Sequence, residues 1–318
     1  MSGYNGIAVS SFDFHHSMLA DEMRTTSFLS AIEASVRPGD VVVDIGTGTG
    51  VLSVFAAKAG ASRVYAIEQE PIIGVAREIA ARNGLSDIIT FIQGSSLEID
   101  LPEKADVLIT ETIGNMALDE GIITWITDAR ERFLKPEGTT IPLDIDVIAN
   151  LVSVPTDYEM IERWSRPLLG LDFGPLSHVA RNNIHWVDLS RAQFATRPVT
   201  VFSTDFPPNP APMSTVATVE VVKDVNVHGI GVWFRSSLTS DVHITNEAPN
   251  GVPSWEHGFL PLDQPMAVRR GEVIEIEVGS SINGADWNWR VGSEPMHSTL
   301  DGRLDASDKM NNAHTSQT

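Results

Sequence analysis

The chain contains no cysteine, only three tyrosines, and 22 basic side chains against 42 acidic ones in 318 residues. Without cysteine there are no disulfides, thiolate nucleophiles or cysteine-ligated zinc. A formal net charge of -20 and a pI near 4.7 exclude a broad electrostatic grip on nucleic acid phosphates or anionic lipid. No run approaches the roughly 18 uninterrupted apolar residues that would span a bilayer. The opening "MSGYNGIAVSSFDFHHSML" has no basic segment leading into an apolar one. Neither nucleic acid nor membrane is therefore expected as a partner, and a cytoplasmic location is the default expectation. The nine histidines include no H-x-x-x-H pair, so no metal site is expected.

What is present is an ordinary globular texture, 42% hydrophobic with a mean hydropathy of -0.01, long enough for two packed units. Residues 16–34 read as one helix with a buried stripe of Met18, Leu19, Met23, Phe28, Leu29 and Ile32. From Val41 to about Pro142, Val/Ile-rich runs ("VVVDI", "RVYAIE", "ITFIQ", "ADVLITE") alternate with Ala-rich helical ones, the signature of βαβ units and a parallel sheet. Beyond "PEGTTIP" come "DIDVIANLVSV", "TVATVEVVKDVNV", "GIGVWFRSSL" and "EVIEIEVGSSI", separated by Pro, Gly and Asn in the rhythm of an antiparallel β domain. The expected class is α/β, with a Rossmann-like parallel sheet in residues 1–142 and an antiparallel domain in 143–304. An excursion near 157–183 and a disordered polar tail over 305–318 complete the division.

The run "VVVDIGTGTGVLSVFAAKAG" is a buried strand, a turn from Asp44 to Gly50, and a helix. Glycines are needed where the chain turns sharply and a ligand approaches backbone N–H groups at a helix start. Glu68 ends the next strand, placed to accept from ribose hydroxyls. The spacing is G-x-G-x-G without the G-x-x-G half of the dinucleotide fingerprint, which tilts the reading from NAD towards S-adenosylmethionine (SAM).

"TETIGNMALDEGI" places Glu111 and Glu120 nine positions apart across a glycine-broken, mostly uncharged stretch. Two carboxylates so spaced can close on a cation. The simpler alternative is that Glu111 ends a strand and Glu120 caps the following helix.

Four stretches in this order resemble the protein arginine methyltransferase family over nearly the whole chain. They are "HHSMLADEMRTTSFLSAI", the nucleotide turn, the double-glutamate loop, and "PSWEHGFLPL", which is similar to that family's Thr-His-Trp loop. The resemblance implies a SAM-binding Rossmann-like domain followed by a β-barrel, and a SAM-dependent N-methyltransferase acting on a guanidino group. It implies that Arg24 pairs with the SAM carboxylate and that Asp44, Gly46 and Gly48 shape its pocket. Glu68 would hold the ribose, Met18 would stand near the reacting centre, and Glu111 and Glu120 would clamp the guanidinium. Trp255 and Asp21 would complete the substrate side, and a homodimer through an arm is implied. Without the family, Arg24 reads as a helix-surface charge.

The departures from the family gather on the substrate side. No Tyr-rich N-terminal element precedes Phe12, where only Tyr4 is nearby, and Ser254 stands where a histidine facing Asp21 is expected. His257 is an open replacement, and the excursion from Asp157 to Asn183 is short. These changes favour a small guanidino compound such as free arginine over a protein tail, with Arg166 and His257 as candidates for its head group on location alone. Another amine as acceptor, or a non-catalytic SAM-binding scaffold, are the alternatives. His15 and His16 read as a helix cap and a surface group before they read as proton acceptors. Trp287 and Trp289 read as barrel core before they read as a binding platform.

Overall fold

The structure, a computed structural model, describes residues 9–206, 214–249, 251 and 254–303. The segment around Tyr4 and the tail from 305 lie outside the described residues. The chain enters through two helices, α1 (Val9–Ala20) and α2 (Glu22–Ser35), instead of the single helix expected over 16–34. Asp21 makes the break. With extended dihedrals it serves as the N-cap of α2, its Oδ1 accepting from the Arg24 N–H at 3.1 Å. The expected stripe is divided accordingly: Phe28 and Ile32 are buried, whereas Leu19 and Met23 beside the break are exposed.

Five parallel strands follow: β1 (Val41–Ile45), β2 (Arg63–Glu68), β3 (Ile89–Gln93), β4 (Ala105–Thr110) and β5 (Leu134–Ile141), in the order β3-β2-β1-β4-β5. Every residue of β1 is buried, as expected of a strand covered on both faces by helices. Those covers include α3 (Val51–Ala59), α4 (Ile73–Arg82) and α5 (Ile122–Arg132), which turn apolar faces to the sheet. The strand β5 runs through "LKPEGTTI", a stretch with Pro136 and Gly138 that lies outside the runs read as strands in the sequence. It is tolerated because β5 is the sheet's edge, where a missing N–H costs no ladder bond, and its register shifts between Ala105 and Val107 of β4.

The parallel sheet ends at Ile141, and antiparallel pairing begins at Asp144. The remaining strands are β6 (Asp144–Ser153), β7 (His185–Val187), β8 (Gln193–Phe194), β9 (Val199–Asp205), β10 (Ser214–Glu220) and β11 (Val225–Ser237). They continue with β12 (His243–Thr245), β13 (His257–Val268), β14 (Val273–Ser280), β15 (Trp287–Val291) and β16 (His297–Ser298). One sheet is ordered β7-β13-β11-β6-β8, with β9 and β12 pairing onto it, and the other β10-β14-β15-β16. The run "TVATVEVVKDVNV", expected as one strand, is split at residues 221–224 because β10 and β11 belong to different sheets. Trp287 and Trp289 are core: both are buried, and their Nε1–H groups donate to the Gly284 and Pro261 carbonyls.

Between β6 and β7 the chain makes an excursion through α6 (Pro155–Glu162) and α7 (Gly174–Arg181). It exposes Met160, Trp164, Leu168, Leu169 and Leu171. Among the described residues, no helix is long and apolar enough to cross a membrane.

Candidate active site at the carboxyl ends of the parallel strands

In an open parallel sheet, ligands bind beyond the carboxyl ends of the strands where the strand order reverses. Here that point lies between β1 and β4, and a cavity of about 410 Å³ opens there. Leaving β1, Gly46 and Gly48 take φ of +70° and +54°, values that an L side chain rarely adopts. A Cβ on Gly46 would lie 2.9 Å from the Thr112 methyl. Beneath the turn, fully buried Asp44 accepts from the Thr47 and Ser53 hydroxyls at 2.6 and 2.7 Å, its other oxygen having no partner among the described residues. Burial pushes its pKa up to about 6, against the pull of those two hydrogen bonds. Asp44 braces the turn from below, whereas Gly46 and Gly48 are in the cavity wall. At the end of β2, Glu68 accepts from the Gly48 N–H at 3.0 Å and the Glu70 N–H at 2.8 Å. Its carboxylate is thereby held at the cavity wall.

Glu111 follows β4 directly and Glu120 precedes α5, and both line the cavity. They are not equivalent. Arg24 forms a hydrogen-bonded ion pair with Glu111, the two side chains 11% and 9% exposed, and a second Arg24 nitrogen donates to the Met18 carbonyl at 3.1 Å. Arg24 is thus no surface charge. Burial lowers its pKa to about 10, against the attraction of Asp21 and Glu120, so it stays protonated at neutral pH. Glu120 has no side-chain hydrogen bond among the described residues, and α5 is capped by Gly121. Burial raises its pKa, as does Asp119, while Arg24 draws it down.

The barrel closes the other side. Trp255 donates from Nε1 to the Ile113 carbonyl at 2.7 Å, and its ring lies 5.4 Å from the Arg24 guanidinium. The Glu256 N–H donates to the Asn115 side chain at 2.9 Å, and Asn246 donates to the Asn115 carbonyl at 2.9 Å. Gly258 leaves no room for a side chain against Met116. The double-glutamate loop is therefore shaped by both halves of the chain. Asp21 also bridges them, its second oxygen accepting from the Ser254 backbone N–H at 2.9 Å. That backbone contact stands where the expected histidine pair is missing, and His257 does not supply it. His257 is buried at the start of β13, with Nδ1 near the Leu189 N–H and the Val187 carbonyl.

Of the residues singled out in the sequence, Met18, Arg24, Gly46, Gly48, Glu68, Glu111, Glu120, Ser254 and Trp255 converge on one cavity. Asp21 and Asp44 stand behind its wall. Arg166 is exposed on the excursion and is not among the lining residues. His15, read as a cap or surface group, lines the cavity beside Gly48, while His16 is exposed. Burial lowers the His15 pKa, which Glu68 partly restores. The available signal was its spacing of three from Met18 on one helix face. Asn115 and Trp125 line the cavity too and carried no mark in the sequence.

The wall suits SAM. Its volume lies within the range of small-molecule sites, roughly 300–1,000 Å³. The buried Nε of Arg24 is a charged donor without an acceptor among the described residues, and the guanidinium suits a carboxylate. Glu68 is an acceptor for hydroxyls, and the acidic pair suits a cationic sulfonium. Among the described residues no group of His, Cys, Asp and Glu is arranged to hold a metal ion.

Comparison with known proteins finds relatives over most of the chain. A family profile described as "Ribosomal protein L11 methyltransferase (PrmA)" matches residues 22–143. An "Arginine N(omega)-methyltransferase" of Streptomyces achromogenes subsp. streptozoticus is 31% identical over 280 residues, covering 84% of this chain and 76% of that protein. "Protein arginine N-methyltransferase 1" of Schizosaccharomyces pombe is 37% identical over 275 residues, covering 83% and 81%. Among solved structures, the "Trypanosoma brucei PRMT1 enzyme-prozyme heterotetrameric complex with AdoHcy" superposes with a TM-score of 0.82 at 26% identity, covering 91% of this chain and 98% of that one. The chain belongs to the protein arginine N-methyltransferase family, class I SAM-dependent enzymes that methylate arginine.

Proposed function

We propose that the chain transfers a methyl group from SAM to a guanidino nitrogen of free arginine, with Glu111 and Glu120 as the clamp. The observation that carries this reading is the convergence of both glutamates and the Gly46–Gly48 turn on one cavity roofed by Trp255. A guanidinium stays protonated at neutral pH, and its delocalised charge makes each nitrogen a weak nucleophile. Two carboxylates gripping one face draw positive charge onto the nitrogens they touch and leave lone-pair density on the third. When bound, SAM supplies an electrophilic methyl on a cationic sulfonium. Negative charge in a low-dielectric cavity offsets the repulsion between the two cationic partners.

The remaining roles follow from position. Arg24, steadied by Glu111 and the Met18 carbonyl, holds its guanidinium in the cavity wall for the SAM carboxylate. Glu68 accepts from the ribose hydroxyls, Met18 borders the reacting centre, and Asp44 keeps the turn in shape. Asp21 and Trp255 position the acceptor wall. The excursion from Pro155 to Arg181, with its exposed Trp164, Leu168 and Leu169, offers an apolar face for a second copy of the chain.

Free arginine is favoured over protein arginine because the departures from the family lie on the acceptor side, Ser254 above all. The name of the Streptomyces relative, which specifies arginine, points the same way. The decisive comparison is mass spectrometry with deuterated-methyl SAM, offering free arginine and an Arg-Gly-rich peptide. Free arginine should show a kcat/KM at least about tenfold higher, equivalent to about 1.4 kcal/mol in transition-state binding. A better peptide substrate refutes the preference.

A further inference from the structure

Beyond the partition made by Trp255 and Glu256 lies a second cavity of about 300 Å³, lined in part by Asp188, Ser190 and His257. Trp255 and Glu256 line the first cavity as well, so the two cavities share this wall. We propose that the second cavity receives the amino acid head group of the acceptor, its α-ammonium between the Glu256 and Asp188 carboxylates and its α-carboxylate on Nε2–H of His257. The inference rests on the free-arginine reading.

The donor and acceptors match a zwitterion. His257 is only 8% exposed, and its Nε2 has no hydrogen-bond partner among the described residues. Its Nδ1 is occupied within the fold, 3.2 Å from the Leu189 N–H. The Val187 carbonyl lies 3.1 Å from the same Nδ1, but the Leu189 N–H has no other acceptor among the described residues, which assigns Nδ1 as its acceptor and the ring proton to Nε2, a buried donor for which the described residues supply no acceptor. The Glu256 carboxylate makes no hydrogen bond or ion pair among the described residues, while its backbone N–H is tied to Asn115 beside the clamp. Asp188 accepts from the Ser190 N–H and hydroxyl, both at 2.8 Å, which hold its carboxyl below the usual range and keep it charged. A residue within a protein chain would bring a neutral N–H and C=O to the same place and leave this charge pattern unanswered.

Steady-state kinetics on three acceptors tests the assignment: arginine, agmatine, which lacks the α-carboxylate, and Nα-acetylarginine, which lacks the α-ammonium. His257→Asn keeps an acceptor near the Nδ1 position for Leu189 and removes Nε2, so the fold is spared. It should raise KM for arginine about tenfold or more with kcat little changed, and leave KM for agmatine alone. Glu256→Gln should raise KM for arginine and agmatine but not for Nα-acetylarginine. Equal effects of His257→Asn on arginine and agmatine, or no effect of either variant, overturn the head-group site while the free-arginine reading stands. If the wild type methylates a peptide but neither arginine nor agmatine, the free-arginine reading fails and the head-group site with it.

Discussion

Replacing Glu111 or Glu120 by glutamine removes the same charge from two unequal settings. Glu111 pairs with Arg24 where both side chains are nearly buried, so Glu111→Gln leaves a guanidinium in the interior that Asp21 and Glu120 attract from a greater distance. Deleting one partner of a buried pair outright costs about 3–5 kcal/mol, but glutamine keeps an acceptor oxygen for Arg24, which brings the loss to about 1–3 kcal/mol. Each kcal/mol lowers the melting temperature by about 2–4 °C in a domain of this order of size. The Glu120 side chain has no hydrogen bond to lose among the described residues, and burial already opposes its charge, so Glu120→Gln should melt at or above the wild-type temperature. Turnover should fall in both variants by about 10²–10³, the scale for losing a preorganised electrostatic group. Thermal melts with and without S-adenosylhomocysteine, paired with single-turnover methylation of arginine, separate the two effects. Glu111→Gln should also bind the nucleoside more weakly, because the anchor on Arg24 loses its charge. If Glu120→Gln is the less stable protein, or if either variant turns over near normally, the unequal-clamp account is wrong.

Because Glu120 has its pKa raised above the ordinary 4.5 and must be ionised to grip a guanidinium, the acid limb of kcat/KM should lie above that value. A limb at or below it would refute the assignment. Asp44, with a pKa of about 6 against 3.8 unfolded, contributes stability that is present below 3.8 and lost as pH rises through 6. Asp44→Asn should therefore gain about 1.4 kcal/mol on the wild type between pH 5 and pH 8 in urea unfolding, and a constant difference would contradict this. Glu68→Ala should weaken SAM binding by about 1–3 kcal/mol in calorimetry. SAM should protect the wild type against melting where NAD does not, and the reverse result would sink the cofactor reading.

Much of the fold was legible because its signals are periodic and local. Short Val/Ile runs between Ala-rich ones can hardly form anything but a parallel sheet, and the glycine turn needs conformations that few other residues adopt. The missed strand, β5, carries Pro136 and Gly138, and only its place at the sheet edge makes them acceptable. The broken helix was announced by Asp21 followed by Glu22, yet the apolar spacing across it read as continuous. At the site, the glutamates stood out by spacing, whereas the partnership of Arg24 with Glu111 joins residues 87 positions apart and left no trace in the sequence. The substitute for the missing histidine pair was invisible for another reason. It is the backbone N–H of Ser254, which any residue but proline would provide.

The anchoring of the clamp loop sets a limit on modularity. A fragment ending at Pro142 would keep the whole nucleotide turn, with Glu68 and Arg24, and on paper both glutamates. It would lose the Trp255, Glu256 and Asn246 side of the contacts at Ile113 and Asn115, and the backbone of Gly258 against Met116. Grafting a barrel from a relative onto this nucleotide half meets the same constraint, since the incoming strand must offer a glycine opposite Met116 and an indole reaching Ile113. Cofactor recognition is portable; acceptor recognition is inherited only as a matched pair of halves.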